Sequence, residues 1–279
     1  MIARDSVSAF IDDEALSRGA AIAFYAASAL APALFIAVAI AGLFFGEDAA
    51  RGTVDAQVHG FIGPEAANLL QTAIKNVSVT SKGIVANVFG IAVLILVASG
   101  VFTEMQSALN AIWKVPPKRR WYMSILISRV ESLALVGAIG FLLLTLMVLT
   151  AIINAASGYI DEHFPLGSTA LNAANFSLSL VLAAIMFAVI YKVLPDKSLA
   201  WRDCFIGALF TSVLFLFGQF LMSRYIGSSW AASLYGVAGG LIVLMFWIYY
   251  SAEIFLLGAE FTKLYAERYG SQRRRHKTV

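Results

Sequence analysis

Long apolar segments constrain this chain more than any other feature. A helix needs roughly 20 mostly apolar residues to cross the hydrocarbon core of a bilayer. Six segments of the chain meet this requirement, and they lie at 20–45, 84–112, 125–156, 171–194, 204–226 and 236–264. The sequence therefore predicts an all-α, polytopic membrane bundle with about six transmembrane helices.

The composition agrees with a lipid environment. Apolar residues make up 60% of the 279 residues and charged residues only 13%, whereas about 25% of a typical soluble domain is charged. So little charge cannot cover a globule of this size in water. The first apolar segment begins only after Arg18 and is too long for the apolar part of a signal peptide. We expect it to be retained as the first spanning helix.

The distribution of Lys and Arg predicts the orientation of the bundle. Loops on the cytoplasmic side of a membrane protein carry an excess of these residues. If the N-terminus is cytoplasmic, 16 of the 20 Lys and Arg residues fall on that side and its flanks. The four on the outer side are Arg51, Lys75, Lys82 and Arg224. Both termini are therefore predicted to be cytoplasmic.

Two segments outside the spans are predicted to lie along the surface. Residues 1–19 form a cytoplasmic N-terminal amphipathic segment in which Val7, Phe10 and Ile11 share one stripe between residues 6 and 16. An outer amphipathic segment follows at 64–79. Each is expected to pack on an end of the bundle, with a membrane-interface or gating helix as the alternative. Residues 265–279 form a basic cytoplasmic tail, expected near anionic lipid.

Ionisable residues inside the spans mark a candidate site. Such groups are costly in lipid and normally face the bundle interior or a wet cavity. Most of them fall in the half of each span that is predicted to lie nearer the cytoplasm, so we expect a polar cavity that faces inward. The candidate substrate-binding or cavity-lining residues are Thr103, Glu104, Gln106, Ser107 and Asn110 in the second span, Arg129 and Glu131 in the third, Arg224 in the fifth, and Tyr249, Glu253 and Glu260 in the sixth.

Two interpretations of these residues compete. They can form a closed, hydrogen-bonded core between helices, with pairs such as Arg129 to Glu104 or Glu253. Alternatively they can line a hydrated cavity that admits a polar head group, which is favoured by the surplus of carboxylates over basic partners. The sequence leaves both open.

Proline and small residues predict features of packing. Pro32 interrupts the first span and is a candidate hinge. Gly19, Ala23 and Ala27 recur every four residues, a spacing that lets helices approach closely. This pattern predicts packing within the bundle, and a homo-oligomer is the alternative.

Several classes of function lack a sequence signal. We find no nucleotide-binding glycine pattern, no HExxH and no Gly-x-Ser-x-Gly sequence. His59, His163 and His276 lie outside the spans, and Cys204 is the only cysteine. We therefore expect no metal site, no cofactor and no enzymatic activity. Nucleic acid is not an expected partner and no soluble partner can be identified, so membrane lipids are the expected partners.

Motifs along most of the chain resemble the YihY/virulence factor BrkB family, which is UPF0761-like. They occur in the family's order between residues 15 and 268 and comprise 21–25 with Pro32, 108–113, 191–196, 201–203, 207–208, Tyr225, 235–236, 247–249 and 257–260. The resemblance implies a bacterial inner-membrane protein with six helices. Members have carried an old ribonuclease label, which nothing in this sequence supports.

The family is also linked with envelope integrity and with movement of lipid or glycolipid precursors. Together with the inward polar cavity, this implies a transporter or flippase-like carrier of a lipid, glycolipid or other anionic amphiphile. The alternative is a non-transporting membrane scaffold for envelope assembly.

Overall fold

The computed structural model describes residues 2–29, 100–115, 167–226 and 237–273. Every regular element in these residues is an α-helix, which confirms the predicted all-α class. In chain order the helices are α1 (Ile2–Asp12), α2 (15–29), α3 (100–112), α4 (Gly167–Val193), α5 (Trp201–Ile226) and α6 (Val237–Arg268).

Three of the described helices are long and apolar enough to cross a membrane. The qualifying stretches are Ala173–Val193, Trp201–Leu221 and Leu244–Arg268, and they match the last three spans predicted from the sequence. Large apolar side chains on these helices remain exposed, as expected for contact with lipid, and include Phe176, Val181, Phe217, Phe220 and Phe246. The protein is therefore a multi-pass membrane protein.

The earlier predicted spans are described only in part. Residues 20–29 of the first span and 100–112 of the second are helical. The third span at 125–156, the outer segment at 64–79 and the candidate hinge Pro32 lie outside the described residues.

A break in the helix divides the predicted N-terminal amphipathic segment. α1 ends at Asp12, and α2 begins at residue 15 after a turn in which Glu14 has a φ of 54°. That left-handed backbone conformation is uncommon for a residue other than glycine, and it stops the helix. Val7 and Ile11 are exposed on α1, whereas Ser6 is completely buried and donates a hydrogen bond to the Ile2 carbonyl at 2.9 Å.

The chain divides into two compact units. The first unit comprises Met1–Asp13, Leu109–Leu216 and Phe255–Val279, and the second comprises Glu14–Ala108 and Phe217–Ile254. α6 crosses from one unit to the other, so its amino-terminal half belongs to the second unit and its carboxyl-terminal half to the first.

A buried hydroxyl joins three helices in the core of the first unit. Tyr191 on α4 donates a hydrogen bond of 2.7 Å to the carbonyl of Phe255 on α6. Its hydroxyl also lies 2.9 Å from Oγ1 of Thr211 on α5. The rings of Tyr191 and Phe255 stack with their centroids 5.4 Å apart. These contacts fix the relative positions of α4, α5 and α6 around a core that is closed to solvent.

The connection between α4 and α5 is held by hydrogen bonds from elsewhere in the first unit. The amide and carbonyl of the Asn110 side chain pair with Asp196, whose backbone nitrogen lies 2.8 Å from Asn110 Oδ1 and whose Oδ2 lies 3.0 Å from Asn110 Nδ2. At the start of α5, the buried Asp203 carboxyl accepts bonds from the backbone nitrogen and hydroxyl of Ser271 at 2.9 and 2.6 Å. The connection is therefore ordered by side chains rather than by its own secondary structure.

Candidate functional site

The second unit contains a carboxyl group that is buried in a spanning helix. Glu253 lies on α6 within the spanning stretch Leu244–Arg268. Both of its carboxyl oxygens are buried, and neither accepts a hydrogen bond from the described part of the chain. The Tyr249 hydroxyl, one helical turn earlier, approaches this carboxyl closely enough to interact with it electrostatically. Glu253 is therefore a buried polar group without a full set of hydrogen-bond partners among the described residues.

A glycine on α2 makes room for this carboxyl. A Cβ atom added to Gly19 would lie 2.1 Å from Glu253 Oε1 and 2.7 Å from its carboxyl carbon. No side chain larger than hydrogen fits at this position without moving Glu253. The pattern of small residues on the first span therefore serves packing here, in that its first member receives the Glu253 carboxyl.

The surroundings of Glu253 limit the forms that it can take. A buried carboxylate with no compensating partner costs several kcal/mol. A stable resting state therefore requires a proton on Glu253, or a hydrogen-bond donor that closes on it, which the Tyr249 hydroxyl, a ligand or residues beyond the described ranges can supply. A group of this kind is suited to gain and lose a proton or a ligand during a functional cycle.

A second buried polar cluster lies in the first unit and comprises Asp13, Glu260 and Lys263. The Lys263 ammonium lies 3.2 Å from Asp13 Oδ2 and 3.3 Å from Glu260 Oε2. Glu260 is completely buried, and its other oxygen, Oε1, has no hydrogen-bond partner in the described residues. The carboxyl groups of Asp13 and Glu260 thus contact the same ammonium group.

The electrostatics of this cluster favour a charged Asp13. Burial by itself raises the pKa of the Asp13 carboxyl. The hydrogen bond with Glu260 and the positive charges of Lys263 and Lys114 outweigh that effect and hold the pKa below its ordinary value of 3.8. Asp13 therefore carries the negative charge that pairs with Lys263.

The candidate residues on the second span differ in their exposure in α3. Thr103 and Ser107 are exposed, and Glu104 and Gln106 are half-buried. The Asn110 side chain is hydrogen-bonded to Asp196. Its contacts give Asn110 a structural role as an anchor of the α4–α5 connection.

The two units divide the remaining candidates. Tyr249 and Glu253 come together in the second unit, which also contains Thr103, Glu104, Gln106 and Ser107, whereas Asn110 and Glu260 belong to the first. Arg129 and Glu131 lie outside the described residues. Arg224 is a helical residue of α5 whose side chain is likewise outside the description. A single cavity lined by all of these residues stays a prediction.

Sequence reasoning missed two participants of the buried clusters as site residues. Lys263 follows Glu260 by three residues on one helix, and this spacing was a usable signal for an ion pair. Asp13 is 250 residues away from Lys263 along the chain, and no local pattern relates them. Within the described ranges, no group of three or more His, Cys, Asp or Glu side chains is arranged to hold a metal ion.

Comparison with known proteins places this architecture in a family. The model of the virulence factor BrkB family matches residues 6–278. A UPF0761 membrane protein of Ralstonia nicotianae is 26% identical over 85% of this chain and 52% of its own length. One from Psychromonas ingrahamii is 30% identical over 70% of this chain and 66% of its own length. The chain thus spans about half to two thirds of these two relatives.

A third relative is similar in length. YfkH of Bacillus subtilis, whose name describes it as ribonuclease-like, is 27% identical over 91% of each chain. No solved structure matches the chain. The family match extends over nearly all of the residues, and the described helices include several that can span a membrane. The chain therefore belongs to the virulence factor BrkB family of membrane proteins.

Proposed function

We propose that this protein is a bacterial inner-membrane carrier that moves a lipid, glycolipid or other anionic amphiphile between the leaflets. In this proposal Glu253 is the polar group that meets the head group, or a proton that moves with it, inside the membrane. The observation that carries the proposal is the buried Glu253 carboxyl, which lies in a spanning helix without a hydrogen bond from the described residues.

Stability alone does not account for such a group. Replacing Glu253 by an apolar side chain would remove the cost of burying a carboxyl in lipid-embedded structure. A glycine opposite the carboxyl adds a second local cost, because glycine lowers the stability of a helix interior by up to about 1 kcal/mol relative to alanine. The buried Glu253 carboxyl and Gly19 each lower stability, and they lie against each other. This supports a functional role for the contact between them.

The chemistry of a carboxyl group fits an anionic head group in one protonation state. A protonated Glu253 can donate a hydrogen bond to a phosphate or carboxylate oxygen, whereas an ionised one repels it. Exchange of a proton would therefore change the affinity for the head group. We further propose that Arg129 and Arg224 provide the positive charge that such a head group needs.

The Lys and Arg distribution supports the orientation of this carrier. With 16 of 20 basic residues on one side, both termini are proposed to face the cytoplasm. The chain of the amphiphile would stay in lipid beside the exposed apolar faces of α4 to α6, while the head group crosses through the polar interior.

Reconstitution of the purified full chain into liposomes tests the proposal. The vesicles carry a trace of fluorescent lipid with an anionic head group, and a membrane-impermeant quencher reports how fast the label changes leaflet. We expect the protein to accelerate this exchange severalfold over protein-free vesicles, and Glu253→Gln to abolish the acceleration. Glu267→Gln, which removes an exposed carboxyl from the same helix, is the matched control and should exchange lipid like the unaltered protein.

Two outcomes would count against a carrier. Equal rates in vesicles with and without the protein, across phosphate-bearing, glycolipid and zwitterionic probes, would favour the scaffold alternative. Equal rates of lipid exchange for the unaltered protein and Glu253→Gln would be compatible with a carrier but would show that Glu253 takes no part in the transport. Size-exclusion profiles and melting temperatures of both variants show whether a loss of rate is a loss of fold.

A further inference from the structure

α1 is attached to the carboxyl-terminal end of α6 at both of its ends. Arg268 Nη2 lies 2.6 Å from Asp5 Oδ2, and Lys263 Nζ lies 3.2 Å from Asp13 Oδ2. The Arg268–Asp5 pair is open to solvent, with side chains 42% and 41% exposed. The Lys263–Asp13 pair, called the inner pair below, is more buried, because only 9% of the Lys263 side chain and 22% of the Asp13 side chain are exposed. The inner pair therefore decides how firmly α1 is held.

Glu260 makes the inner contact more than a simple ion pair. Its side chain is completely buried, with one oxygen 3.3 Å from Lys263 and the other without a partner in the described residues. The Asp13 carboxyl contacts the same ammonium, so the two carboxyl groups are held close together beside Lys263. Two ionised carboxylates can only accept hydrogen bonds, so a bond between them requires a proton. Two carboxylates this close do not both ionise readily, because each charge opposes the other.

We propose that Asp13 and Glu260 hold one exchangeable proton between them beside Lys263, and that this proton-binding site fastens α1 to α6. With the proton bound, one carboxylate faces one ammonium and the buried cluster is close to neutral. Loss of the proton leaves two adjacent carboxylates against Lys263, and their repulsion favours separation of α1 from α6. The site is thus a pH-dependent clasp, in the sense that its protonation decides whether α1 stays attached to α6. The clasp does not depend on the proposed carrier function.

Within the described residues, the charged groups that act on the pair come from three elements of the first unit. Lys263 lies on α6 itself, Asp13 follows α1, and Lys114 follows α3 and acts on Asp13 from a greater distance. Both lysines favour the charged form of Asp13, which leaves Glu260 as the carboxyl that donates the proton. The position of Asp13 beyond the end of α1 explains why ionisation of the pair would act on this helix.

A buried position on α1 offers a direct readout of the clasp. Ser6 is completely buried, so Ser6→Cys places a thiol that reacts with a maleimide only when α1 moves away. The variant is made with Cys204→Ser in the full chain, and labelling rates are measured in detergent between about pH 6 and about pH 9, a range over which thiol reactivity itself rises. A second variant also carries Glu260→Gln, which replaces the Glu260 carboxyl by a hydrogen-bond donor that cannot ionise. The two variants have the same thiol and are compared at the same pH.

We expect the ratio of the labelling rates without and with Glu260→Gln to be near one at the acid end. As pH rises it should increase severalfold, because only the chain with Glu260 loses the proton. Ser6→Cys with Glu267→Gln should behave like Ser6→Cys alone. A ratio that stays constant across the range would overturn the proposal. If the thiol variants do not fold, the melting temperatures of the unaltered protein and Glu260→Gln are measured as a function of pH instead. Parallel curves for these two proteins would also overturn the proposal.

Discussion

Gly258 on α6 packs directly against Thr211 on α5, since a Cβ atom added to Gly258 would lie 1.9 Å from Thr211 Oγ1. The relationship is reciprocal, because a Cβ atom on Gly207 of α5 would lie 1.7 Å from Thr262 Oγ1 on α6. Each threonine hydroxyl donates to the carbonyl four residues earlier in its own helix, at 2.8 Å for Thr211 and 2.7 Å for Thr262. Both helices therefore use a glycine and a threonine four residues apart to bring their backbones together without an unpaired hydroxyl.

This packing predicts that Gly258→Ala destabilises the protein. The added methyl group would also lie 2.5 Å from the Tyr191 hydroxyl, so α5 and the buried hydrogen bonds of Tyr191 must shift. Overpacking of this kind costs about 1–3 kcal/mol. The melting temperature of the purified protein in detergent should fall accordingly.

The double variant Gly258→Ala with Thr211→Ala is the control for this steric explanation. It removes the hydroxyl that the new methyl group meets, so it should melt above Gly258→Ala. Additive losses from the two changes would show that the cost of Gly258→Ala arises elsewhere.

The Tyr191 hydroxyl is predicted to contribute measurably to stability. Tyr191→Phe removes the hydrogen bond to the Phe255 carbonyl, and the loss of one such bond costs about 0.5–1.5 kcal/mol. The ring and its stacking on Phe255 remain. Tyr269→Phe, at an exposed ring, should leave the melting temperature unchanged, and an equal effect of the two changes would contradict the role assigned to Tyr191.

Much of the fold follows from local sequence patterns. The apolar stretches at 171–194, 204–226 and 236–264 predict α4, α5 and α6 closely, because in lipid a long apolar segment has few alternatives to a helix. The break between α1 and α2 was not predicted. The stripe from Val7 to Leu16 is compatible with one helix, and only the conformation of Glu14 interrupts it.

The candidate site was less predictable because it depends on tertiary contacts. Charge within a span pointed to Glu253 and Glu260, and the structure buries the carboxyl oxygens of Glu253 and the whole Glu260 side chain. Their partners lie far away in the sequence. Gly19 belonged to a pattern of small residues that does not indicate a carboxyl opposite, and Asp13 lay in the segment 1–19, which was predicted to be amphipathic and to lie along the surface.

Gly19→Ala is predicted to displace the Glu253 carboxyl. Its methyl group would occupy the position 2.1 Å from Glu253 Oε1. We expect a lower rate of lipid exchange in the liposome assay and a lower melting temperature. Adding Glu253→Ala empties the space and should restore the melting temperature but not the exchange. A Gly19→Ala protein that exchanges lipid at the unaltered rate would argue against a functional role for this contact.

The two ion pairs that hold α1 should differ in their energetic weight. Lys263→Met leaves the Asp13 carboxylate without its cation, and removal of one partner of a buried pair costs about 3 kcal/mol or more. Arg268→Met breaks an exposed pair, which is worth less than about 1 kcal/mol. Denaturation of both variants under one condition gives the comparison. Losses of equal size would mean that the inner pair is solvated, contrary to its burial.

The depressed pKa of Asp13 predicts a loss of stability in acid. Asp13 in the unfolded chain titrates near 3.9, and in the folded chain its pKa lies lower because Glu260 and Lys263 favour the carboxylate. The contribution of Asp13 is therefore fully present above pH of about 4 and is lost as the pH falls through the folded value. Between about pH 5 and about pH 3, the melting temperature of the unaltered protein should fall more steeply than that of Asp13→Asn, which cannot ionise. Carboxyls other than Asp13 and its neighbour Glu260 titrate equally in both proteins, so the difference between the two curves reports Asp13 together with its effect on Glu260. Curves of equal slope would mean that Asp13 has no net electrostatic partner, and the attachment of α1 would then depend on Asp5 and Arg268.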